Sequence, residues 1–281
     1  MAKDSKIEWT HHTFNPWWGC ERVSPACKHC YAETWAHRLG MDLWSKNAPR
    51  RLLSDSYWRQ PLAWDRDARN SKRRDRVFSA SMADVFEKRA DLDEPRQRLW
   101  DLIAQTPNLD WLLLTKRPQH VRDMVPWGTS WPRNVWLGTT VETQRWAEKR
   151  LPHLVAHPAS VLFLSCEPLL GPLNLTPWLS PREGARGIDW IIAGGESGHF
   201  ARPMNPVWLQ SLRDQCANSE IAFHFKQWGN WSPCKGQQME RREVRLLRMA
   251  GGEAVEMVNL GKKAAGRKID GREWNGLPVV E

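Results

Sequence analysis

The run Val77-Phe78-Ser79-Ala80, passing directly into Ser81-Met82-Ala83-Asp84, carries the pattern that decides the fold: a short apolar, β-rich segment ending in polar and ionisable groups. The same grammar recurs along the chain. Trp111 to Leu114 leads into Thr115-Lys116-Arg117, Val135 to Gly138 into Thr139-Thr140-Val141-Glu142, and Val161 to Leu164 into Ser165-Cys166-Glu167. Trp190 to Ala193 then gives way to Gly194-Gly195-Glu196-Ser197, and Ala222 to Phe225 to Lys226-Gln227-Trp228. Such runs do not alternate apolar with polar, so they read as strands covered on both faces. Thr13 to Trp18 reads as one more strand, entering a cysteine-bearing loop.

Between these runs lie helix-like stretches, Pro95 to Gln105, Thr143 to Leu154 and Pro206 to Asn218, with acidic or Pro residues early and basic residues later. Alternating strand and helix predicts the α/β class: a parallel sheet with right-handed crossovers, whose seven units make a partial or complete (β/α) barrel. The barrel is expected to fill residues 1–230. From Trp231 the pattern changes, and residues 231–281 read as a small appendage. In it, Arg241 to Met249, a Gly251-Gly252 turn and Ala254 to Val258 predict a β-hairpin. The basic, Gly-punctuated run from Gly261 to Lys268 then either closes over the barrel, touches a partner or is a solvated tail.

In a parallel sheet the carboxyl ends of successive strands converge on one face, which is where α/β barrels carry their chemistry. Polar groups also simply cap strands, but six polar ends in succession favour a site.

The whole chain supports this reading. Of 281 residues, 41% are hydrophobic and 26% charged, enough apolar material for a core. The formal net charge of +9 points to a polyanionic partner, against the plainer reading of a modestly basic enzyme. Nineteen Trp beside 2 Tyr supply large core contacts and flat faces on which a base can stack. The apolar runs fall far short of the roughly 18–20 residues of a membrane span. The N-terminus shows no signal-peptide pattern, so a soluble, cytoplasmic protein is expected.

Cys20, Cys27 and Cys30 form C-x6-C-x2-C on one loop, while Cys166, Cys216 and Cys234 are scattered. Clustered thiolates of this kind hold zinc or an iron–sulfur cluster. A closed zinc site would recruit His29 or His37 as a fourth ligand. A three-cysteine [4Fe–4S] cluster leaves one iron open, and the loop's place after the first strand, on the face where the other strand ends converge, favours it.

Phe14-Asn15-Pro16-Trp17-Trp18-Gly19-Cys20, continuing through Val23-Ser24-Pro25 to Cys27-Lys28-His29-Cys30-Tyr31-Ala32-Glu33, resembles the phage-associated three-cysteine-motif proteins. So do Leu113-Leu114-Thr115-Lys116-Arg117-Pro118, Ser165-Cys166-Glu167-Pro168-Leu169-Leu170-Gly171-Pro172, Gly194-Gly195-Glu196-Ser197-Gly198, Lys226-Gln227-Trp228-Gly229 and Lys262-Lys263 through Asp270-Gly271-Arg272. That family is similar to an atypical branch of the radical S-adenosylmethionine (SAM) superfamily, distantly like spore photoproduct lyase. The departure is the first spacing, since most of the superfamily uses C-x3-C-x2-C.

The resemblance implies a radical SAM-type barrel with a [4Fe–4S] cluster on Cys20, Cys27 and Cys30, SAM on the open iron, and an external electron donor such as flavodoxin or ferredoxin. It implies Lys116 at the SAM carboxylate; by position, Ser79, Ser81 and Asp84 are expected at the methionyl amine or substrate and Glu142 at a ribose hydroxyl. The expected substrate is DNA, with the base extruded against Trp17, Trp18 and Trp228. The basic run Arg66, Arg69, Lys72, Arg73, Arg74 and Arg76 would grip phosphates, or be an ordinary solvated loop.

Two reactions compete. One is an isomerisation moving an amino-acid substituent on a hypermodified thymidine from a carbon–nitrogen to a carbon–carbon linkage; the other is photoproduct reversal. No thiol lies in Phe78 to Asp84 to return a hydrogen as in the lyase, which suits the isomerase. Arg117 and Arg202 would then clamp a carboxylate and Glu167 or Glu196 an amine, with Lys226 and Gln227 beside them. A non-enzymatic, zinc-stabilised nucleic-acid-binding protein is the third reading. A phage-encoded chain would work in the host cytoplasm.

Overall fold

The computed structural model describes residues 5–180, 186–233, 243–248 and 254–280. Its strands are β1 (His12–Thr13), β2 (Trp17–Trp18), β3 (Arg51–Leu52), β4 (Asp75–Ser79), β5 (Leu109–Thr115), β6 (Val135–Thr140), β7 (Val161–Cys166), β8 (Trp190–Gly194), β9 (Ala222–Gln227), β10 (Trp231–Pro233), β11 (Val244–Arg248) and β12 (Ala254–Asn259). Seven of them follow one another in chain order, β1-β4-β5-β6-β7-β8-β9, in one sheet. The fold is α/β, and this strand order is that of a partial (β/α) barrel with β1 and β9 as edges. Among the described residues no helix is long and apolar enough to cross a membrane.

The chain divides into two compact units, one of Met1–Thr140, Arg150–Phe163 and Val280–Glu281, the other of Val141–Lys149 and Leu164–Val279. In the first, β1, β4, β5 and β6 pair in parallel, with Val77 opposite Trp111 and Trp111 opposite Val135. Every residue of β6 is buried, the covered-on-both-faces state that its unbroken apolar run requires. The Phe163 ring lies where a side chain at position 138 would stand, so Gly138 is part of the packing. Behind β5 the aromatic residues interlock: Phe14 stacks on Tyr57 at 5.0 Å and meets Trp111 edge-on at 5.6 Å.

The strand expected over Thr13–Trp18 is two pieces. Pro16 has no N–H to give a ladder and Asn15 turns its side chain to Met82 N (2.6 Å) and Ser81 Oγ (3.0 Å). As a result β1 runs parallel to β4, whereas β2 pairs antiparallel with β3. The helix expected over Thr143–Leu154 occupies Gln144–Leu154, and that over Pro95–Gln105 begins at Asp93.

In the second unit β8 and β9 pair in parallel, with a register shift between Ala193 and Gly194. The helix Pro206–Asn218 starts on Asn205, whose side chain accepts from Val207 N at 2.9 Å, the N-cap role its residue type favours. The hairpin forms as β11 and β12, and β10 adds a third strand. The Gly251-Gly252 turn and Cys234 lie outside the described residues. The run after Gly261 is no solvated tail: Trp228 N donates to Gly266 O (3.1 Å), Phe225 N to Trp274 O (2.9 Å) and Gly276 N to Phe223 O (2.9 Å). It lies along β9.

Candidate functional site: the cysteine loop and the strand ends

In the first unit the cysteine loop is shaped by local rules. Gly19 has φ +112° and sits with its α-carbon against Leu43 O and the Arg50 side chain, where only glycine fits; its N–H donates to Met82 O at 3.0 Å. Ser24-Pro25 opens a single 3₁₀ turn, Pro25–Cys27, and Cys27 N donates to Ser24 O at 2.9 Å. Cys30 then caps the helix α1 (Tyr31–Arg38). Arg22 reaches across the loop to the Glu33 carboxylate with two hydrogen bonds, at 2.9 and 2.6 Å, pinning loop to helix.

Cys20 and Cys30 rest on one apolar nest of Trp18, Ala32, Ala36, Leu43, Trp44 and Met82, and none of the three loop thiols is in a disulfide. Burial pushes the Cys20 thiol up to about 12, against the opposing pull of Arg117. Burial also raises Cys30, while the backbone N–H groups at Glu33 and Ala32 and the charge of Lys116 pull it down. A metal bound at these sulfurs would have to displace their protons.

Arg117 is the hub of the loop. Its Nη1 donates to Cys20 Sγ at 3.7 Å and to Asp84 Oδ2 at 2.9 Å, and its Nη2 to Glu21 O at 2.9 Å. Asp84 also accepts from the Thr115 hydroxyl (2.7 Å), Lys116 N (2.9 Å) and Phe86 N (3.0 Å). Expected at the substrate and at SAM respectively, Arg117 and Asp84 are instead buried and committed to each other and to the loop. A second buried pair, Arg50 with Glu87 at 2.5 and 3.0 Å, ties the Leu43–Ala48 backbone to the segment after β4. Neither partner was marked by the sequence.

Among the other expected residues, Lys116 stands partly exposed beside Cys30. Ser79 is fully buried on β4, its hydroxyl without a partner among the described residues. Ser81 bonds Asn15, and its carbonyl accepts from the Tyr31 hydroxyl at 2.8 Å. Trp17 is fully buried under Arg96, and Trp18 is buried beneath Arg51, so neither presents the open face that base stacking needs. The basic run lies before and at the amino end of β4, away from the carboxyl end that meets the cysteine loop. Arg73 pairs with Asp75, Arg74 with Asp110, and Arg76 donates to Trp9 O, so three of its cations are structural.

Among the described residues no three Cys, His, Asp or Glu side chains are grouped to hold one metal ion. A cluster asks something different, since it takes each thiolate on a different metal and so spreads the sulfurs wider than a mononuclear site does. The loop offers three thiols outside any disulfide, with an arginine N–H on Cys20 and backbone N–H groups of the following helix on Cys30.

The second unit carries its own strand-end pairs. Lys226 Nζ donates to both oxygens of Glu167, at 2.7 and 3.0 Å, and the Glu167 carboxyl lies against the bare α-carbon of Gly194. Arg202 grips Glu196 through Nε (2.8 Å) and through its own backbone N–H (2.8 Å). Gln227 bonds Ser197 at 3.1 Å. Glu142 is fully buried. Trp228, expected as a stacking wall, is buried with its indole N–H on Lys268 O at 2.9 Å. Lys226→Met leaves a half-buried Glu167 without its cation, so urea unfolding should show about 1–3 kcal/mol lower stability at unchanged slope.

Two solved variants of spore photoproduct lyase resemble the chain, with TM-scores of 0.46 and 0.44 at 10% and 11% identity, each comparison covering 91% of this chain and 70% of the other. No curated protein matches it. The family model described as "Protein of unknown function (DUF5131)" matches residues 4–278, and the chain belongs to that family.

Proposed function

We propose that this family member is a radical SAM enzyme acting on DNA, and that the reaction is the isomerisation of an amino-acid substituent on a modified thymidine. The observation that carries the first half is the cysteine loop: three free thiols on one loop, an arginine N–H on Cys20, helix amides and Lys116 at Cys30. Cys20, Cys27 and Cys30 would hold a [4Fe–4S] cluster, and Lys116 the SAM carboxylate. When bound, such a cluster supplies the electron for reductive cleavage of the SAM sulfonium.

The chain's own residues do the rest. The Trp18–Trp44 nest packs against Cys20 and Cys30, and Arg117, held by Asp84, fixes Cys20 and Glu21. At the second unit's strand ends, a substrate bearing both an ammonium and a carboxylate can enter the existing ion pairs, its carboxylate taking Arg202 and its ammonium Glu196 or Glu167. The segment Phe78 to Asp84, along and after β4, contains no cysteine of its own to return a hydrogen, which favours isomerase over lyase. The charge of +9 suits a polyanionic substrate.

The test is anaerobic reconstitution with iron and sulfide, followed by EPR with and without SAM and an assay for 5′-deoxyadenosine. About four irons per chain, an EPR signal shifted by SAM and 5′-deoxyadenosine release are expected. Stoichiometric zinc with no response to SAM would replace this reading with a zinc-stabilised nucleic-acid-binding protein.

A further inference from the structure

We infer that the outer face of α1 is the docking surface for the reductant of the cluster, a small acidic electron-transfer protein of the flavodoxin or ferredoxin class. The inference rests on the cluster reading above and adds to it a partner surface. α1 buries Ala32, Glu33 and Ala36, while Tyr31, Trp35 and Leu39, four residues apart and therefore on one side of the helix, are 58%, 49% and 50% exposed. Large apolar side chains in such a row mark an interaction site more than a solvated helix face.

Charge and place choose the partner. Lys28, Arg38 and Arg51 are exposed on this helix, its leading loop and the neighbouring strand, a basic surround to an apolar centre. Of the acids there, Glu33 is held by Arg22, and the exposed Asp42 is outnumbered by these three cations. Transient electron-transfer complexes use small interfaces of this build, an apolar centre with complementary charge at the rim. The helix also begins on Cys30, a proposed cluster ligand, so Trp35 is five residues away, about 7.5 Å along the axis. A donor seated on the stripe passes one electron to the cluster; the donor is oxidised by one electron, the cluster is reduced by one, and no bond is made or broken. A nucleic acid would also be drawn to the basic rim, but Leu39 offers nothing to a base, and a convex helix face offers no groove for a strand.

The test uses the reconstituted enzyme, with Trp35→Glu/Leu39→Glu as one variant and Arg38→Glu, which leaves the buried face of α1 intact, as a second. Cluster bleaching is followed in a stopped-flow with reduced flavodoxin and, separately, with dithionite. Both variants are expected to lose about tenfold or more in the bimolecular rate with flavodoxin at low salt, with the dithionite rate unchanged, and the wild-type flavodoxin rate is expected to fall as salt rises. Flavodoxin rates equal to wild type in both variants overturn the inference. So does a loss of DNA affinity with normal flavodoxin reduction, which would give the stripe to nucleic acid. A wild-type chain that assembles no cluster fails earlier, at the proposed function itself.

Discussion

Arg117→Leu is expected to lower the stability of the metal-free protein by about 3–5 kcal/mol, the cost of leaving one charge of a buried pair unmatched. Asp84 is 4% exposed and keeps its other three donors, but those were built to share a carboxylate with a guanidinium. The check is urea unfolding of wild type, Arg117→Leu, Asp84→Asn and the double variant. The double variant should recover part of the loss, since it buries no lone charge, and simple additivity would show that the two side chains do not act as a pair.

The same pair sets an acid limit. Burial pushes the Asp84 carboxyl up, but Arg117, the Lys116 N–H and the Thr115 hydroxyl more than offset it and hold it below the usual carboxylate range. A depressed folded-state value means that in acid the unfolded chain binds more protons than the folded one, so stability rises with pH there. The contribution is complete above the unfolded value of about 4 and is lost as pH falls below it. In Asp84→Asn that part of the acid sensitivity should vanish, while at neutral pH the variant is already weaker.

Gly229→Ala should be the most damaging change in the second unit. Gly229 has φ +81°, and a side chain there would fall on the Glu196 carbonyl, with its carbon at 2.8 Å. The left-handed backbone alone costs a non-glycine residue about 1–2 kcal/mol. Displacing a packed backbone adds about 1–3 kcal/mol. Because Asn230 N donates to Glu196 O at 3.0 Å, the shift should also disturb the Arg202–Glu196 pair. Thermal unfolding and soluble yield measure the first effect. A variant that melts with wild type would mean that the loop relaxes freely.

The strands were legible because burial on both faces leaves a mark that needs no partner: Val135–Gly138 and Val161–Leu164 are apolar at every position but one, and they sit where they read. The cysteine loop was legible for a similar reason, since its three thiols are close in sequence. What stayed hidden is the pairing of charges. Arg50 and Glu87 lie 37 residues apart and Arg117 and Asp84 33, and nothing in one residue's type says which distant acid its guanidinium will meet. The run from Arg66 to Arg76 misleads for the converse reason: read alone it is a phosphate grip, yet Asp75 and Asp110 neutralise two of its members. Trp17 and Trp228 show the same limit for aromatics, whose identity fixes a large flat surface but not whether the fold covers it.

The C-terminal segment against β9 has a consequence for the life of the chain before folding is complete. β9 pairs with β8 on one side, and its other side is covered by the stretch from Gly266 to Gly276, which includes an antiparallel bridge of Asn275 to His224. Those covering residues follow β9 in the chain and so leave the ribosome after it. Until they arrive, β9 offers bare N–H and C=O groups to any extended peptide nearby, so a nascent or C-terminally clipped molecule presents a sticky ribbon that the finished one has sealed.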